Sequence, residues 1–126
     1  MRAPLDVLIM EDDPAIRLAL AHTLKNQGVE VRTCCSLESA LEAIRGHSFD
    51  VILADLRMRG QECADGLELL KVVRKVSPDT RVIIMTAYGS DDVEAEVKEH
   101  GGTYWAKSRH LDELLGSVMA TSPRST

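Results

Sequence analysis

Aromatic side chains are scarce in this sequence: one Trp, one Phe and two Tyr make up 3% of its 126 residues. The hydrophobic core must therefore be built mainly from aliphatic side chains. Cysteine is also sparse, since only Cys34, Cys35 and Cys63 occur and none are spaced as Cys-X-X-Cys. An odd number of cysteines, two of them adjacent, argues against a disulfide framework and against a zinc site. We expect reduced thiols in a cytoplasmic protein.

Basic residues are outnumbered by acidic ones, 15 against 20, which gives a formal net charge of −5. Direct nucleic-acid binding needs clustered Lys and Arg to neutralise phosphates, and Arg57 with Arg59 does not make such a cluster. The longest apolar run is far shorter than the ~20 residues of a membrane span. The residues after Met1 lead into a strand-like run rather than a signal peptide. We expect neither nucleic acid nor membrane as a partner.

The length of the chain fits one domain, because a chain of this size can bury about two-thirds of its unfolded surface. Short apolar runs alternate with segments of helical periodicity. The predicted strands are Val7–Met10, Val29–Cys35, Val51–Ala54, Val82–Met85 and Thr103–Ala106. The predicted helices begin at Pro14, after the N-cap Ser36, at Gly66, at a capping box of Asp91 and Glu94, and at Leu111.

Five strands that alternate with five helices predict a parallel sheet covered by helices on both faces. We predict an α/β, flavodoxin-like (βα)5 doubly wound sandwich whose five-stranded parallel sheet has the order 2-1-3-4-5. The domain is placed at residues 1–121. Residues 122–126 are small and polar, which indicates a disordered tail or the start of a linker.

Polar side chains follow four of the five predicted strands. They are Glu11, Asp12 and Asp13 after the first strand, Asp55 after the third, Thr86 after the fourth and Lys107 after the fifth. In a doubly wound sheet these strand ends converge on one cleft. Each residue alone has a structural explanation as a helix cap, a turn residue or a surface lysine, so it is their combination that indicates a site.

A cluster of carboxylates is repulsive, and its pKa values rise unless a cation is present. Oxygen ligands of this kind suit Mg²⁺, which binds through one or two carboxylates and retains water. One carboxylate can then act as a nucleophile and form an acyl phosphate. Mg²⁺, the ammonium of Lys107 and the hydroxyl of Thr86 are suited to stabilise the transferred phosphoryl group.

The sequence resembles the receiver domain of bacterial two-component response regulators over nearly its whole length. The segments that carry the resemblance are Val7–Arg17, Asp50–Met58, Asp65–Leu70, Val82–Gly89 and the single residue Lys107. The residues around Thr86 are most similar to receivers attached to sigma-54-dependent activators, the NtrC-like subgroup.

The resemblance implies that Asp55 accepts a phosphoryl group from a sensor histidine kinase or a phosphotransfer protein. It implies a Mg²⁺ site made of Glu11, Asp12, Asp55 and the backbone carbonyl of Arg57. Lys107 would pair with a phosphoryl oxygen. The resemblance implies a phosphorelay protein, not an enzyme, whose only turnover is slow self-dephosphorylation.

The resemblance also implies a conformational switch. Thr86 would follow the phosphoryl group after transfer, Ala87 would leave room for it, and Tyr104 would be the aromatic switch residue. The switch would act on the face formed by the fourth helix, fifth strand and fifth helix, and so control a downstream effector domain or protein. The domain would be a monomer or a weak dimer.

Several positions depart from the family pattern. Arg59 replaces the usual proline after Met58, and the loop between Asp55 and Gly66 is longer than usual. Ser108 replaces the proline after Lys107; that peptide is commonly cis in the family, and a cis bond before a residue other than proline costs several kcal/mol. The fourth helix is short. A further hypothesis is that the Arg57 side chain covers the phosphoryl group, so that Arg57→Ala would speed its loss.

Three other functions compete with the receiver interpretation. A pseudo-receiver would have the same fold and act through protein contacts without phosphorylation. An aspartyl-phosphate phosphatase of the dehalogenase type would need Asp-X-Asp, and Asp55-Leu56-Arg57 lacks the second aspartate. A flavodoxin-type FMN binder would need a Ser- and Thr-rich phosphate loop after the first strand, where this chain is acidic.

Overall fold

The structure is a computed structural model that describes residues 4–56, 65–87, 89–107 and 110–121. Within these ranges the strands are β1 (Asp6–Met10), β2 (Glu30–Cys34), β3 (Val51–Asp55), β4 (Arg81–Thr86) and β5 (Thr103–Ala106). The helices are α1 (Pro14–Asn26), α2 (Leu37–Gly46), α3 (Asp65–Val76), α4 (Asp91–Glu99) and α5 (Leu111–Met119). No helix in the described ranges combines the length and the apolar character that crossing a membrane would require.

The strands form one parallel sheet in the order β2-β1-β3-β4-β5, which confirms the predicted topology. The register places Met10 beside Ala54, and Asp55 beside Met85. Thr86, the last residue of β4, pairs with Ala106 on the edge strand β5. The residues that follow β1, β3, β4 and β5 therefore lie along one edge of the sheet.

The central strands are apolar throughout because helices cover both faces of the sheet. Alternate residues, such as Ile52 and Ile84, pack with α2, α3 and α4 on one face. The intervening residues, such as Leu53 and Ile83, pack with α1 and α5 on the other. The edge strand β2 is largely exposed or half-buried, which agrees with its more polar sequence.

Side-chain oxygens cap α1, α2 and α4, and the cap of α4 differs from the predicted one. The side chain of Asp13 caps α1 by accepting from the backbone N–H of Ala15 at 2.9 Å. The helix α4 begins at Asp91, but the predicted capping residue, Asp91, was wrong by one position. Ser90 is the cap, because its extended backbone and short hydroxyl place Oγ 3.2 Å from the N–H of Val93.

Arg81 links the start of β4 to the end of α5. Its guanidinium donates to the carbonyl of Ser117 at 2.6 Å, to the hydroxyl of Ser117 at 2.7 Å and to the hydroxyl of Thr121 at 2.9 Å. The carbonyl group belongs to the last turn of α5, where backbone acceptors lack partners within the helix.

We expect Arg81→Met to lower the free energy of unfolding by about 1–3 kcal/mol. The substitution removes a charged donor and so leaves several acceptors without their hydrogen bonds. Arg81→Lys should recover part of this loss, since one ammonium reaches fewer acceptors. Urea denaturation measures the effect, with Arg45→Met on the exposed surface of α2 as the control. An Arg81→Met variant as stable as the control would contradict the role assigned to Arg81.

Candidate functional site

The carboxyl edge of the sheet brings the predicted acidic residues together. Glu11, Asp12 and Asp55 each place a carboxylate oxygen within 4.8 Å of the other two. Glu11 is 0% exposed and Asp55 is 7% exposed, whereas Asp12 is half-buried. Charged side chains are almost never this buried without partners, so the cluster requires compensating groups.

Lys107 provides part of that compensation. Its ammonium lies 2.9 Å from Oε1 of Glu11 and 3.3 Å from Oδ2 of Asp55. The backbone N–H of Lys107 donates to the carbonyl of Thr86 at 2.8 Å, which holds the end of β5 against β4. The sequence predicted a phosphoryl oxygen as the partner of Lys107, and the structure gives it the two most buried carboxylates of the site.

The electrostatics of the site favour additional positive charge. Burial, followed by the nearby charge of Glu11, raises the pKa of Asp55 to about 7, although Lys107 acts in the opposite direction. Burial alone would lower the pKa of Lys107, but its contacts with Glu11 and Asp55 outweigh burial and raise that pKa. Three carboxylates beside one ammonium leave excess negative charge, and an oxygen-only donor set of this kind fits a hard divalent cation such as Mg²⁺.

The acidic loop is held by a residue that the sequence interpretation missed. Nη1 of Arg17 donates to the carbonyl of Glu11 at 2.9 Å and, more weakly, to that of Asp12 at 3.5 Å. The N–H of Glu11 donates to the carbonyl of Cys34 on β2 at 3.1 Å. A cation near the start of a helix opposes the helix dipole, and this was the signal that could have identified Arg17.

The predicted switch residues lie at the end of β4 and on the neighbouring strand β5. Thr86 ends β4 and is 4% exposed, and Ala87 after it is exposed. Tyr104 on β5 pairs in register with Ile84 and packs, half-buried, against the core on the α3 and α4 side of the sheet. The structure therefore places Asp55, Thr86 and Tyr104 on the three neighbouring strands β3, β4 and β5.

Some predicted features lie outside the described residues. They are both roles of Arg57, the substitution at Arg59, the enlarged loop with Cys63, and the peptide between Lys107 and Ser108. They stay predictions.

The two cysteines at the end of β2 differ in exposure. Cys34 is half-buried and its thiol donates to the carbonyl of Ile9 at 3.6 Å. Burial, together with the adjacent Cys35, raises the pKa of the Cys34 thiol to about 11. Cys35 is exposed. Since the thiolate is the reactive species, the raised pKa disfavours reaction of Cys34 at neutral pH.

A doubly wound parallel sheet whose carboxyl edge carries clustered carboxylates, a buried threonine and a paired lysine defines an α/β domain with an acidic cleft. Residues 7–118 match the family described as the response regulator receiver domain. The chain therefore belongs to the family of receiver domains, which are signalling domains of two-component systems. This confirms the resemblance drawn from the sequence.

Individual relatives agree with this assignment. Sporulation initiation phosphotransferase F of Bacillus subtilis (strain 168) is 33% identical over 118 residues, which is 93% of each chain. The DNA-binding transcriptional regulator NtrC of Escherichia coli (strain K12) is 35% identical over 116 residues, which is 89% of this chain and 24% of NtrC. The chain thus spans about a quarter of that relative. Membership of the NtrC-like subgroup stays a prediction.

Among solved structures, the response regulator protein TrrA of Thermotoga maritima has a TM-score of 0.77 at 29% identity. The match covers 91% of this chain and 96% of TrrA, which was solved in complex with Mg(2+)-BeF.

Proposed function

We propose that this receiver domain is a phosphorylation-dependent switch. Asp55 accepts a phosphoryl group from a sensor histidine kinase or a phosphotransfer protein in a Mg²⁺-dependent reaction. The α4-β5-α5 face then controls a downstream effector domain or protein. The observation that carries the proposal is the burial of Asp55 beside two further carboxylates, with the Lys107 ammonium 3.3 Å from its Oδ2.

In the proposed reaction an Asp55 carboxylate oxygen forms a bond to phosphorus while the bond from phosphorus to the donor's imidazole nitrogen breaks. The phosphoryl group stays on Asp55 as an acyl phosphate, and the donor leaves as a histidine imidazole. The Lys107 ammonium and the Thr86 hydroxyl are suited to hold the phosphoryl oxygens, since both are donors at the same edge as Asp55. Asp55 must be ionised to react. Because its pKa is raised to about 7, part of the Asp55 population is protonated at neutral pH unless a cation is bound.

The carboxylates of Glu11, Asp12 and Asp55, with the backbone carbonyl of Arg57, would hold the metal. A bound Mg²⁺ would supply positive charge that keeps Asp55 ionised and attracts the phosphoryl oxygens. The Mg(2+)-BeF complex of TrrA supports this assignment by similarity. Arg17 contributes indirectly, because its contacts with the loop carbonyls orient Glu11 and Asp12.

We place the receiver domain at residues 1–121 and infer that it works in the cytoplasm, where reduced thiols such as those of Cys34 and Cys35 persist. The domain would act as a signalling partner rather than as an enzyme, with slow self-dephosphorylation only. We expect it to be a monomer or a weak dimer.

Incubation with acetyl phosphate and Mg²⁺, followed by intact-mass measurement, tests the proposal. We expect a mass gain of one phosphoryl group in the wild type and none in Asp55→Asn. Asp13→Asn is a matched control in the acidic loop, because asparagine caps a helix as well as aspartate and phosphorylation should persist. Omission of Mg²⁺ should strongly reduce the gain.

Two results would oppose the proposal. A phosphoryl group that persists in Asp55→Asn would place the acceptor elsewhere. A wild type that is never labelled, at any Mg²⁺ concentration, would favour the pseudo-receiver, which signals through protein contacts alone.

A further inference from the structure

Gly89 lies between the last residue of β4 and the N-cap of α4, in close contact with Tyr104. A Cβ atom placed on Gly89 would overlap the hydroxyl of Tyr104, and it would lie 2.7 Å from Cζ of that ring. The same Cβ would be 3.0 Å from Cγ2 of Thr86. The φ angle of Gly89 is outside the left-handed region that favours glycine. Space for the tyrosine, rather than backbone conformation, is therefore what requires glycine at this position.

We propose that Gly89 is a positioning residue for the switch. The missing side chain at residue 89 creates the space that the Tyr104 hydroxyl occupies, and so holds the ring inward next to Thr86. The role of Gly89 in signalling rests on the proposed function, because it requires that Thr86 and Tyr104 act as a switch. The contact between Gly89 and Tyr104 can be tested separately, in protein that has not been treated with a phosphodonor.

The position of Gly89 in the chain links the tyrosine to the start of α4. Ser90, the next residue, caps α4 through its hydroxyl, and its carbonyl accepts from the N–H of Glu94 at 2.9 Å. A displacement of residue 89 therefore shifts the first turn of α4. Tyr104 lies on β5, so this contact connects two of the three elements of the proposed output face.

The neighbours of Gly89 differ in how far they can move. Thr86 is 4% exposed and its backbone is paired in the sheet. The Tyr104 hydroxyl is the far end of a half-buried side chain, and the ring can rotate outward about χ1. A side chain at residue 89 should consequently be accommodated by outward rotation of the ring rather than by unfolding.

The test uses 3-fluorotyrosine in a Tyr88→Phe background, so that Tyr104 is the only labelled tyrosine. Broadening of its ¹⁹F resonance by a neutral gadolinium chelate reports the exposure of the ring. We expect Gly89→Ala to raise the ratio of outward to inward ring by about tenfold, and the broadening to rise accordingly. Gly116→Ala is the matched control, since a Cβ there meets nothing within 4 Å, and the broadening should stay at the wild-type value.

Broadening in Gly89→Ala equal to that of the wild type would overturn the proposal. If Gly89→Ala lowers the thermal midpoint, addition of Tyr104→Ala should remove the extra loss, because it removes the colliding ring. A loss that is additive in the double variant would overturn the proposal as well.

Acetyl phosphate labelling separates this proposal from the proposed function. Gly89→Ala leaves Asp55, Lys107 and the acidic loop in place, so its labelling should stay within about twofold of the wild type. A Gly89→Ala variant that cannot be labelled, beside a wild type that can, would overturn the positioning role. A wild type that cannot be labelled would defeat the proposed function alone, while the ¹⁹F result would still decide the role of Gly89.

Discussion

Asp55→Asn is expected to make the metal-free domain more stable, by about 2–4 kcal/mol at about pH 8, although it removes the proposed phosphoacceptor. The reason is that Asp55 ionises inside a buried cluster. Burial and the charge of Glu11 raise its pKa from 3.8 to about 7 in the folded protein. An asparagine amide has a similar shape without the charge, and the contact of Lys107 with Glu11 at 2.9 Å does not depend on it.

The pH dependence of this difference follows from the direction of the shift. Because the folded-state pKa is higher than the unfolded one, the folded wild type binds more protons than the unfolded chain between 3.8 and about 7. The wild type therefore loses stability from this group as pH rises through that interval. The raised pKa of Lys107 acts in a separate window above 10.5, where the unfolded lysine has already lost its proton.

Urea denaturation of both proteins between about pH 4 and pH 8 measures the effect. The two stabilities should converge at the acidic end and separate towards the alkaline end. Mg²⁺ should stabilise the wild type and not the variant, and so narrow the gap. Asp50→Asn is the control, since Asp50 is a carboxylate of equal exposure, 7%, that precedes β3 and accepts from the N–H of Asp6 at 2.8 Å. Loss of the Asp50 carboxylate should not stabilise the domain. If Asp55→Asn is no more stable than the wild type above pH 7, the ionised Asp55 carboxylate does not destabilise the folded domain as we expect.

Gly66→Ala is expected to slow phosphorylation of Asp55 strongly, although Gly66 is neither part of the acidic cluster nor a proposed phosphoryl contact. A Cβ on Gly66 would lie 2.5 Å from the backbone carbonyl oxygen of Asp55 and 2.9 Å from Cα of Leu56. Both are backbone atoms, so no side-chain rotation relieves the overlap. The N–H of Gly66 also donates to the carbonyl of Leu56 at 3.0 Å, which holds α3 against the end of β3. Either α3 or the end of β3 must therefore move.

We expect this overlap to cost about 1–3 kcal/mol in unfolding free energy and about a hundredfold in the rate of acetyl phosphate labelling. The rate falls because displacement of the Asp55 backbone misaligns the nucleophile. Gly116→Ala in the exposed part of α5 is the opposite case and should add about 0.5–1 kcal/mol of stability, since alanine favours a helix. If Gly66→Ala is labelled at the wild-type rate, the prediction is wrong, and the movement of α3 or of the end of β3 does not misalign Asp55.

Gly66 and Gly89 illustrate what a sequence pattern leaves undecided. Both are glycines next to a predicted helix start, and in the sequence they look alike. One lies against immobile backbone and the other against the mobile end of a tyrosine. This difference in expected outcome depends on contacts between residues far apart in the chain, which no local pattern contains.

The same division holds for the fold and the site. The order of strands and helices, the central apolar strands and the polar residues at the strand ends follow from local periodicity and turn chemistry, and they were predicted. The hydrogen bonds of Arg17 to the acidic loop were not, because an arginine in a helix gives no indication of which carbonyl it reaches. The cap of α4 was misplaced by one residue, since Ser90 and Asp91 are both suitable caps and backbone geometry selects between them.

The sequence alone determined that Asp55 ends a buried strand in a parallel α/β domain, with acids, a threonine and a lysine at the other strand ends. Periodicity and residue chemistry are local properties, and this much can be read without a structure. Only the tertiary structure decided that Lys107 lies between Glu11 and Asp55, that burial brings the pKa of Asp55 to about 7, and that Gly89 gives space to Tyr104. Distance, desolvation and steric overlap arise only when separate strands are brought together.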